Sequence, residues 1–426
     1  MKILSVTIFL FFSFVLIAQT RDLDYYLTQA KTNSPLINKS RNDNKIIELD
    51  MRQIKSILSK PMINVDASVL FAPIISHNKG SNKFEWISEG ATDYTGYDLA
   101  FSDGGQYQAY ISVNQPIFTK SIYNSYSNKA ELSRKINENN ITLTYHELER
   151  LVSYQYLICL KLKKQNKISL DLVIELKRQL QILEHLVKNA IYKQTDLLLL
   201  QIELQNFELE YKTQLFAYRN NIADLNLICG INDTTTVEIQ NVNFELKLDT
   251  LSVSHFLSTF KLDSLNIEAE QLLYEQKYKP RINLFANAGM AAIYLPDFNR
   301  FGFSTGISFS WNIFDGHQRK IEQEKSMVKS QTIAFKKQNF INKYELNKNK
   351  FLNQISSINQ QIAIIETQLK QYNKLMDLYK LELAQSQISI MDFKIVIKDI
   401  AAKKQELVQL KMEKQLLINS YNYWNY

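Results

Sequence analysis

The chain has few of the residues that interrupt regular structure. Its 426 residues include only 10 glycines and 6 prolines. Because glycine and proline are the commonest residues at turns and breaks, this scarcity argues against a globule with many turns. The composition therefore predicts a fold dominated by long, uninterrupted helices.

Cysteine is almost absent. Cys159 and Cys229 lie in apolar helical contexts, and their spacing does not suit a metal site. We expect two buried free thiols, since an unpaired cysteine commonly behaves as a small apolar residue. A disulfide between them stays open as an alternative.

Signs of catalysis are also missing. The five histidines are scattered, and the sequence contains neither a nucleophile elbow nor a phosphate-binding loop. The formal charge of +7 is mild, with both signs interspersed. Lysine patches such as Lys161–Lys167 therefore indicate a solvated helix face rather than a nucleic-acid site. We expect no enzyme activity, no cofactor, no metal and no nucleic-acid partner.

Long apolar runs are confined to the N-terminus. Lys2 precedes an apolar run from Ile3 to Ala18, which is typical of a secretory signal. We predict a signal peptide over residues 1–19, with cleavage near Ala18. No later stretch is apolar enough for a transmembrane helix. The mature chain is therefore expected to cross the inner membrane and to contain no helical span.

The chain does contain one unit written twice. Ile111–Phe118 resembles Ile307–Phe314, 196 residues further on, and the same offset relates Thr195–Leu197 to Met391–Phe393. Such an internal repeat indicates one structural unit used twice. The predicted parts are a first repeat over 20–230, an inter-repeat segment over 231–250 and a second repeat over 251–426.

Four segments alternate apolar and polar residues with a period of two, which is typical of β-strands with two different faces. They are Pro61–Phe71, Tyr107–Ile117, Ile282–Met290 and Phe303–Ile313. Strands of about ten residues can cross a bilayer when tilted, and small polar residues on one face suit a water-filled lumen. Four strands cannot close such a barrel, and lipid excludes open edges. We therefore expect three copies to contribute twelve strands.

Long helical patterns follow each strand pair. Ser121 to about Val187 carries a coiled-coil seam with apolar spacings of three and four. The residues of this seam are Val173, Leu176, Leu180, Leu183 and Val187. Asp22–Lys60 is predicted as a helix broken near Asn33–Pro35. This helix and the return helix that starts at Asp196 together match the long outgoing helix in length, so the two can stack end to end beside it. We therefore expect antiparallel helices that form a hollow cylinder. Val237–Leu248 is predicted as a short strand pair outside it.

The order and spacing of several short motifs resemble the TolC family of outer-membrane efflux proteins, also called outer membrane factors. The resemblance covers nearly the whole mature chain. It rests on the duplication, on Asn33–Pro35, on the Lys-Pro-x-Ile-Asn strand starts, and on hairpin tips at Ala190–Leu197 and Ser386–Phe393. The matching strand-to-helix junction residues are Gln115, Pro116, Phe118, Trp311, Phe314 and Gly316.

The resemblance implies an internally duplicated α+β membrane protein. The expected assembly is a homotrimer, with a twelve-stranded barrel in the outer membrane and an α-barrel of coiled-coil hairpins in the periplasm. It also implies a channel that passively conducts substrates in tripartite efflux or type I secretion. The implied partners are a periplasmic adaptor (membrane fusion protein), an inner-membrane pump of the RND or ABC type, and outer-membrane lipid.

The resemblance further implies a gate of acidic residues and hydrogen bonds at the hairpin tips. The matching residues are Thr195, Asp196 and Asp392. The chain departs from the family pattern, because Ala190 and Ser386 replace a tip glycine, Ile388 replaces a gate arginine, and Ile395 replaces a second acidic residue. A second interpretation of the two aspartates, compatible with the first, is N-capping of the return helices.

A periplasmic adaptor or soluble coiled-coil scaffold is the alternative from another class, since such proteins also carry long helical hairpins. An adaptor is expected to have a glycine-rich β-domain around a single hairpin. Two hairpins and four alternating strands favour the channel.

Overall fold

The computed structural model describes residues 20–77, 80, 82–86, 88–89, 91–96, 101–102, 105–235, 237–247, 254–293, 299 and 301–425. Its helices are α1 (Leu23–Asn33), α2 (Pro35–Ser59), α3 (Lys120–Lys188), α4 (Gln194–Ile228), α5 (His255–Glu275), α6 (Gln318–Ala384) and α7 (Ile390–Trp424). Its strands are β1 (Met62–Phe71), β2 (Ile74–Ser76), β3 (Lys83–Glu85), β4 (Ser88–Glu89), β5 (Tyr94–Gly96), β6 (Phe101–Ser102), β7 (Gly105–Ile117), β8 (Arg281–Ala292) and β9 (Phe301–Ser310). The predicted signal peptide lies outside the described residues. Within the described part of the chain, no helix is both long and apolar enough to span a membrane.

The predicted break in the first helical segment is confirmed. The Asp22 carboxylate accepts a hydrogen bond from the Tyr25 N–H at 2.9 Å and caps α1. Pro35 opens α2, where its missing N–H leaves no intrahelical bond unmade. Between the two helices, the Asn33 side-chain amide donates to the carbonyl oxygens of Cys229 and Gly230, at 3.1 and 3.0 Å. The end of α4 is thereby held at the α1–α2 break.

The four predicted strands form one antiparallel sheet in the order β1-β7-β8-β9. One row of directly paired residues across the sheet is Asn64, Ser112, Asn287 and Ser304. The adjacent row is Val65, Ile111, Ala288 and Phe303. Because directly paired residues share a face, the alternation of all four strands adds up to one polar and one apolar face. The pairing of β7 with β8 joins the two repeats.

Two glycines on the polar face allow close approach within the sheet. A Cβ on Gly289 would lie 2.2 Å from the Ala109 carbonyl oxygen and 2.4 Å from the Tyr110 Cα. A Cβ on Gly306 would lie 2.7 Å from the ring of Phe285 on the neighbouring strand. The Phe285 ring thus covers Gly306, an arrangement that helps to fix strand register.

The shorter strands lie in the connection between β1 and β7. Strand β2 pairs with β3 and with β5, and β4 pairs with β6. In this connection the His77 ring nitrogens contact the Asn82 side-chain oxygen at 2.8 Å and the Thr95 hydroxyl at 2.7 Å. These strands explain why the first repeat is longer than the second between its two main strands.

The chain divides into two compact units, and each contains parts of both repeats. The helical unit comprises the described residues of Met1–Ser40, Asn139–Ser258 and Lys337–Tyr426. The strand-containing unit comprises those of Arg41–Glu138 and Thr259–Lys336. The predicted coiled-coil seam lies in the helical unit, where Val173, Leu176 and Leu183 are buried and Leu180 and Val187 pack against them.

The predicted strand pair over Val237–Leu248 is wrong. Across the described residues 237–247, one isolated bridge joins Ile239 to Arg21. Side chains bond much of the remaining backbone: the Tyr218 hydroxyl donates to the Val237 carbonyl at 3.0 Å, and the Phe244 N–H donates to the Gln415 side-chain oxygen. Because helix side chains supply these bonds, the segment does not pair with itself. Leu248 lies outside the described residues.

Both cysteines are buried free thiols, as the first interpretation predicted. Burial raises the pKa of Cys159 and that of Cys229 to about 12 in each case. The thiols pack in one apolar cluster with Tyr26 and Leu225 and are not joined as a disulfide.

Candidate functional site at the hairpin tips

The first hairpin turns in a short left-handed step. Helix α3 ends at Lys188, and Ala190 has φ +57°. The Ile191 N–H donates to the Leu186 carbonyl, and the Ala190 N–H donates to the Val187 carbonyl, both at 2.9 Å. This is the hydrogen-bond pattern with which a glycine often ends a helix, but alanine occupies the position here.

The second hairpin repeats this turn. Ser386 has φ +61°, the Gln387 N–H donates to the Glu382 carbonyl at 2.8 Å, and the Ser386 N–H donates to the Leu383 carbonyl at 3.1 Å. A non-glycine residue in the left-handed region costs about 1–2 kcal/mol. Both tips therefore have the same strained turn at equivalent positions of the repeat.

The two return helices begin differently. In α4, the Lys193 backbone N–H donates to the Asp196 carboxylate at 3.1 Å. In α7, the Ser389 hydroxyl accepts from the Met391 N–H at 3.1 Å. Asp196 and Asp392 are thus the third residues of their helices. The N-capping interpretation is confirmed in part for Asp196, which caps the start of α4 as the third residue of a capping box, and is wrong for Asp392, because Ser389 caps α7. Asp196 does satisfy a backbone donor of the helix start, and both carboxylates lie where the helix dipole favours negative charge.

The three predicted gate residues lie on the two return helices, two on α4 and one on α7. Thr195 and Asp196 are consecutive residues of α4, and Asp392 lies at the equivalent position of α7. Thr195 and Asp392 are exposed, while Asp196 is half-buried. Within the described part of the protomer, no hydrogen bond links Thr195 or Asp392 to the other tip.

The polar link between the tips comes instead from Tyr192. Its hydroxyl donates to the Ile388 carbonyl at 2.8 Å. Burial, followed by the charge of Asp196, raises the pKa of Tyr192, so the hydroxyl keeps its proton for this bond at neutral pH. Tyr192 and Ile388 are 196 residues apart and therefore equivalent in the repeat. The sequence analysis missed this link, although the repeat offset brings the two positions to notice.

An apolar cluster lies behind both tips and joins the two hairpins. It contains Leu183, Leu197 and Leu200 of the first hairpin together with Leu383 and Phe393 of the second. An ion pair also crosses between the hairpins, from the Lys380 ammonium on α6 to the Glu175 carboxylate on α3 at 2.7 Å. The tips are thus one packed body within the protomer.

The predicted strand-to-helix junctions are local structures of the strand-containing unit. The Trp311 indole N–H donates to the Tyr278 carbonyl at 3.1 Å, and the Gln115 amide donates to the Pro116 carbonyl at 2.9 Å. Phe118 has φ +57°, whereas its repeat equivalent Phe314 is followed by Gly316 with φ +67°. Phe118 and Phe314 are both highly exposed. The two repeats therefore use different backbone turns to leave the sheet.

No family model matches the chain, and no curated protein matches it. Several solved structures are similar. The outer membrane protein VceC of Vibrio cholerae has a TM-score of 0.69 at 11% sequence identity, over 95% of this chain and 96% of VceC. CusC, described as forming a transmembrane channel, has a TM-score of 0.70 at 12% identity, over 95% and 92% of the two chains. The open state of the Neisseria gonorrhoeae outer membrane channel MtrE has a TM-score of 0.67 at 10% identity, over 95% and 88%.

These similarities define the fold as that of outer-membrane channel proteins. The TolC-family fold expected from the sequence motifs is confirmed. Among the described residues, no group of three or more histidine, cysteine or acidic side chains could hold a metal ion.

Proposed function

We propose that the chain is the protomer of a trimeric outer-membrane channel that extends into the periplasm. In this proposal the channel is the passive exit duct of a tripartite efflux or type I secretion system. The observation that carries it is the four-stranded sheet, whose apolar and polar rows continue in register across both repeats. An apolar outer face suits lipid and a polar inner face suits a water-filled lumen.

The edges of this sheet support the trimer. Strands β1 and β9 are its outermost strands, each with one paired neighbour in the sheet. Unpaired backbone groups in hydrocarbon cost several kcal/mol each, so a membrane-embedded sheet must close on itself. Pairing β9 of one copy with β1 of the next removes every edge, and three copies close a barrel of twelve strands.

The gate belongs at the hairpin tips in this proposal, with Thr195, Asp196 and Asp392 as its residues. Asp392 is exposed, and the described residues give it no backbone bond like the one that Asp196 accepts. Three copies of Asp392 around a narrow axis would repel one another and attract cations. Opening is then a change of packing between two arrangements of the tips rather than a chemical step. A periplasmic adaptor and an RND or ABC pump are the proposed partners at this end.

The assembly is tested by the mass and conductance of the detergent-solubilised mature protein. We expect a mass three times that of the protomer, mixed helix and strand by circular dichroism, and discrete conductance steps in a planar bilayer. A water-soluble monomer that leaves the membrane fraction in high salt would instead support the adaptor or scaffold alternative.

The gate is tested by Asp392→Ala, which should raise or alter closed-state conductance because it removes the proposed acidic ring. The matched control is Asp377→Ala, which removes an exposed carboxylate from α6 away from the tip. Equal closed-state conductance in the wild type and both variants would count against Asp392 as a gate residue.

A further inference from the structure

A buried carboxylate lies between the two hairpins, two turns beyond Asp196. Glu203 on α4 is 1% exposed, and neither of its oxygens has a hydrogen-bond donor among the described residues. Its charge partners are the ammonium groups of Lys394 and Lys398 on α7, at 3.4 and 3.6 Å. The lysines are at positions i and i+4 of α7, so both reach the carboxylate from one face of the helix.

The equivalent positions of the internal repeat do not form a second copy of this charge arrangement. The repeat equivalent of Glu203 is Asp399, which is half-exposed and accepts a hydrogen bond from the Tyr372 hydroxyl at 3.3 Å. The repeat equivalents of Lys394 and Lys398 are Leu198 and Ile202, which carry no charge. The charge arrangement is therefore a feature of the contact between the hairpins rather than of the repeated unit.

The energetics of this arrangement favour a contact that can be released. Burying an ionised carboxylate is costly, and ion pairs without hydrogen-bond geometry recover part of that cost. When α4 and α7 separate, water solvates the carboxylate and the cost disappears. Glu203 itself therefore favours separation of the helices, while Lys394 and Lys398 oppose it.

We propose that Lys394 and Lys398 form a charge clamp on the buried carboxylate of Glu203, and that this clamp sets how readily α4 and α7 separate. Through this separation the clamp determines how readily the tips open, a step that rests on the proposed function. Glu203 is a positioning residue in this scheme, since it acts through helix packing and stays away from the conducted substrate. Replacing the acid and replacing its lysines must then have opposite effects, which a contribution to packing alone would not give.

The test is hydrogen exchange of the full-length detergent-solubilised protein, followed by mass spectrometry of peptides from residues 194–204 and 390–400. Glu203→Met places an apolar side chain of similar volume at the buried position, while the side chains of Lys394 and Lys398, 20% and 53% exposed, can extend their ammonium groups into water. The buried charge is then removed without leaving a buried partner unpaired, so exchange should slow about tenfold. The double variant Lys394→Met, Lys398→Met leaves the carboxylate unpaired and should accelerate exchange about tenfold or more. If the double variant does not fold, Lys398→Met alone should accelerate exchange to a smaller degree.

The repeat supplies the matched control. Asp399→Asn changes the equivalent acid, which has a hydroxyl partner and partial access to water, and should leave exchange in both peptides near the wild-type rate. Three results would overturn the clamp. They are faster exchange in Glu203→Met, exchange shifts of the same sign in the acid and lysine variants, and no exchange shift in either.

Single-channel recording separates this inference from the proposed function. The acid variant should lower the open probability and the lysine variant should raise it. Opposite exchange shifts with an unchanged open probability would support the clamp and overturn the placement of the gate at these tips. Discrete conductance from the wild-type trimer together with unchanged exchange would support the channel and overturn the clamp.

Discussion

The helical unit and the four-stranded sheet differ in how far their apolar side chains are buried. In the helical unit, apolar seam residues such as Leu176 and Leu200 are fully buried between helices of the same protomer. In the sheet, β1 is exposed at all ten positions, and apolar side chains such as Val65 and Phe303 are among the most exposed of the chain. An exposed apolar face of this extent marks a surface that contacts lipid or another chain. The buried seam of the hairpins is thus completed within the protomer, whereas the apolar face of the sheet has its partners outside it.

The largest expected effect comes from placing a charge on the apolar face of the sheet. Val65→Lys should abolish stable insertion into outer membranes, because a lysine in the lipid-facing mid-plane of a barrel costs about 2–4 kcal/mol in each copy. Asn64→Lys is the matched control, one residue away on the polar face. The measurement is the amount of heat-resistant trimer in the washed outer-membrane fraction. If both variants insert equally well, the assignment of the two faces is wrong.

Opening a cavity in the helical unit should lower the stability of the protein without preventing its insertion. Leu200→Ala should destabilise the protein by about 2–5 kcal/mol, because Leu200 is 0% exposed and its neighbours can fill the space only in part. Leu198→Ala on the same helix should have an effect within about 0.5 kcal/mol, since Leu198 is 49% exposed. Thermal unfolding followed by circular dichroism checks both. A large loss in Leu198→Ala would show that another copy covers this helix face.

The tip turns should gain stability when they receive glycine. Ala190→Gly and Ser386→Gly relieve the left-handed strain but add conformational entropy to the unfolded chain, for a net gain of about 0.5–1 kcal/mol each. Unfolding midpoints of the two single variants and the double variant test the gain. Ala223→Gly, in the interior of α4, is the control and should lose about 1 kcal/mol.

The sequence predicts those parts of the fold that depend on a period within one segment. The strands follow from alternation, the seams follow from spacings of three and four, and the repeat locates both tips. Contacts between helices far apart in sequence are different, because Tyr192 and Glu203 have no local pattern that identifies their partners. The strand-pair prediction that includes residues 237–247 failed for a related reason. The backbone there is bonded by side chains such as Tyr218, which no local sequence pattern reveals.

The smallest expected effect is the loss, at acid pH, of the interactions that anchor the inter-repeat segment. The Asp233 carboxylate accepts hydrogen bonds from the backbone and side chain of Thr235 and pairs with Arg21 at 2.7 Å, which together lower the pKa of Asp233 to about 2. An unfolded aspartate titrates near 3.9, so the stabilisation is complete above about pH 4 and is lost as the pH falls towards 2. Asp233→Asn should therefore lower the unfolding midpoint at pH 6, and its difference from the wild type should shrink between pH 4 and pH 2. Asp224→Asn, at an exposed position of α4, makes the same chemical change elsewhere in the helical unit and is the control for the loss of one negative charge. A difference at Asp233 that stays constant down to pH 2 would show that hydrogen-bond geometry rather than charge anchors the segment.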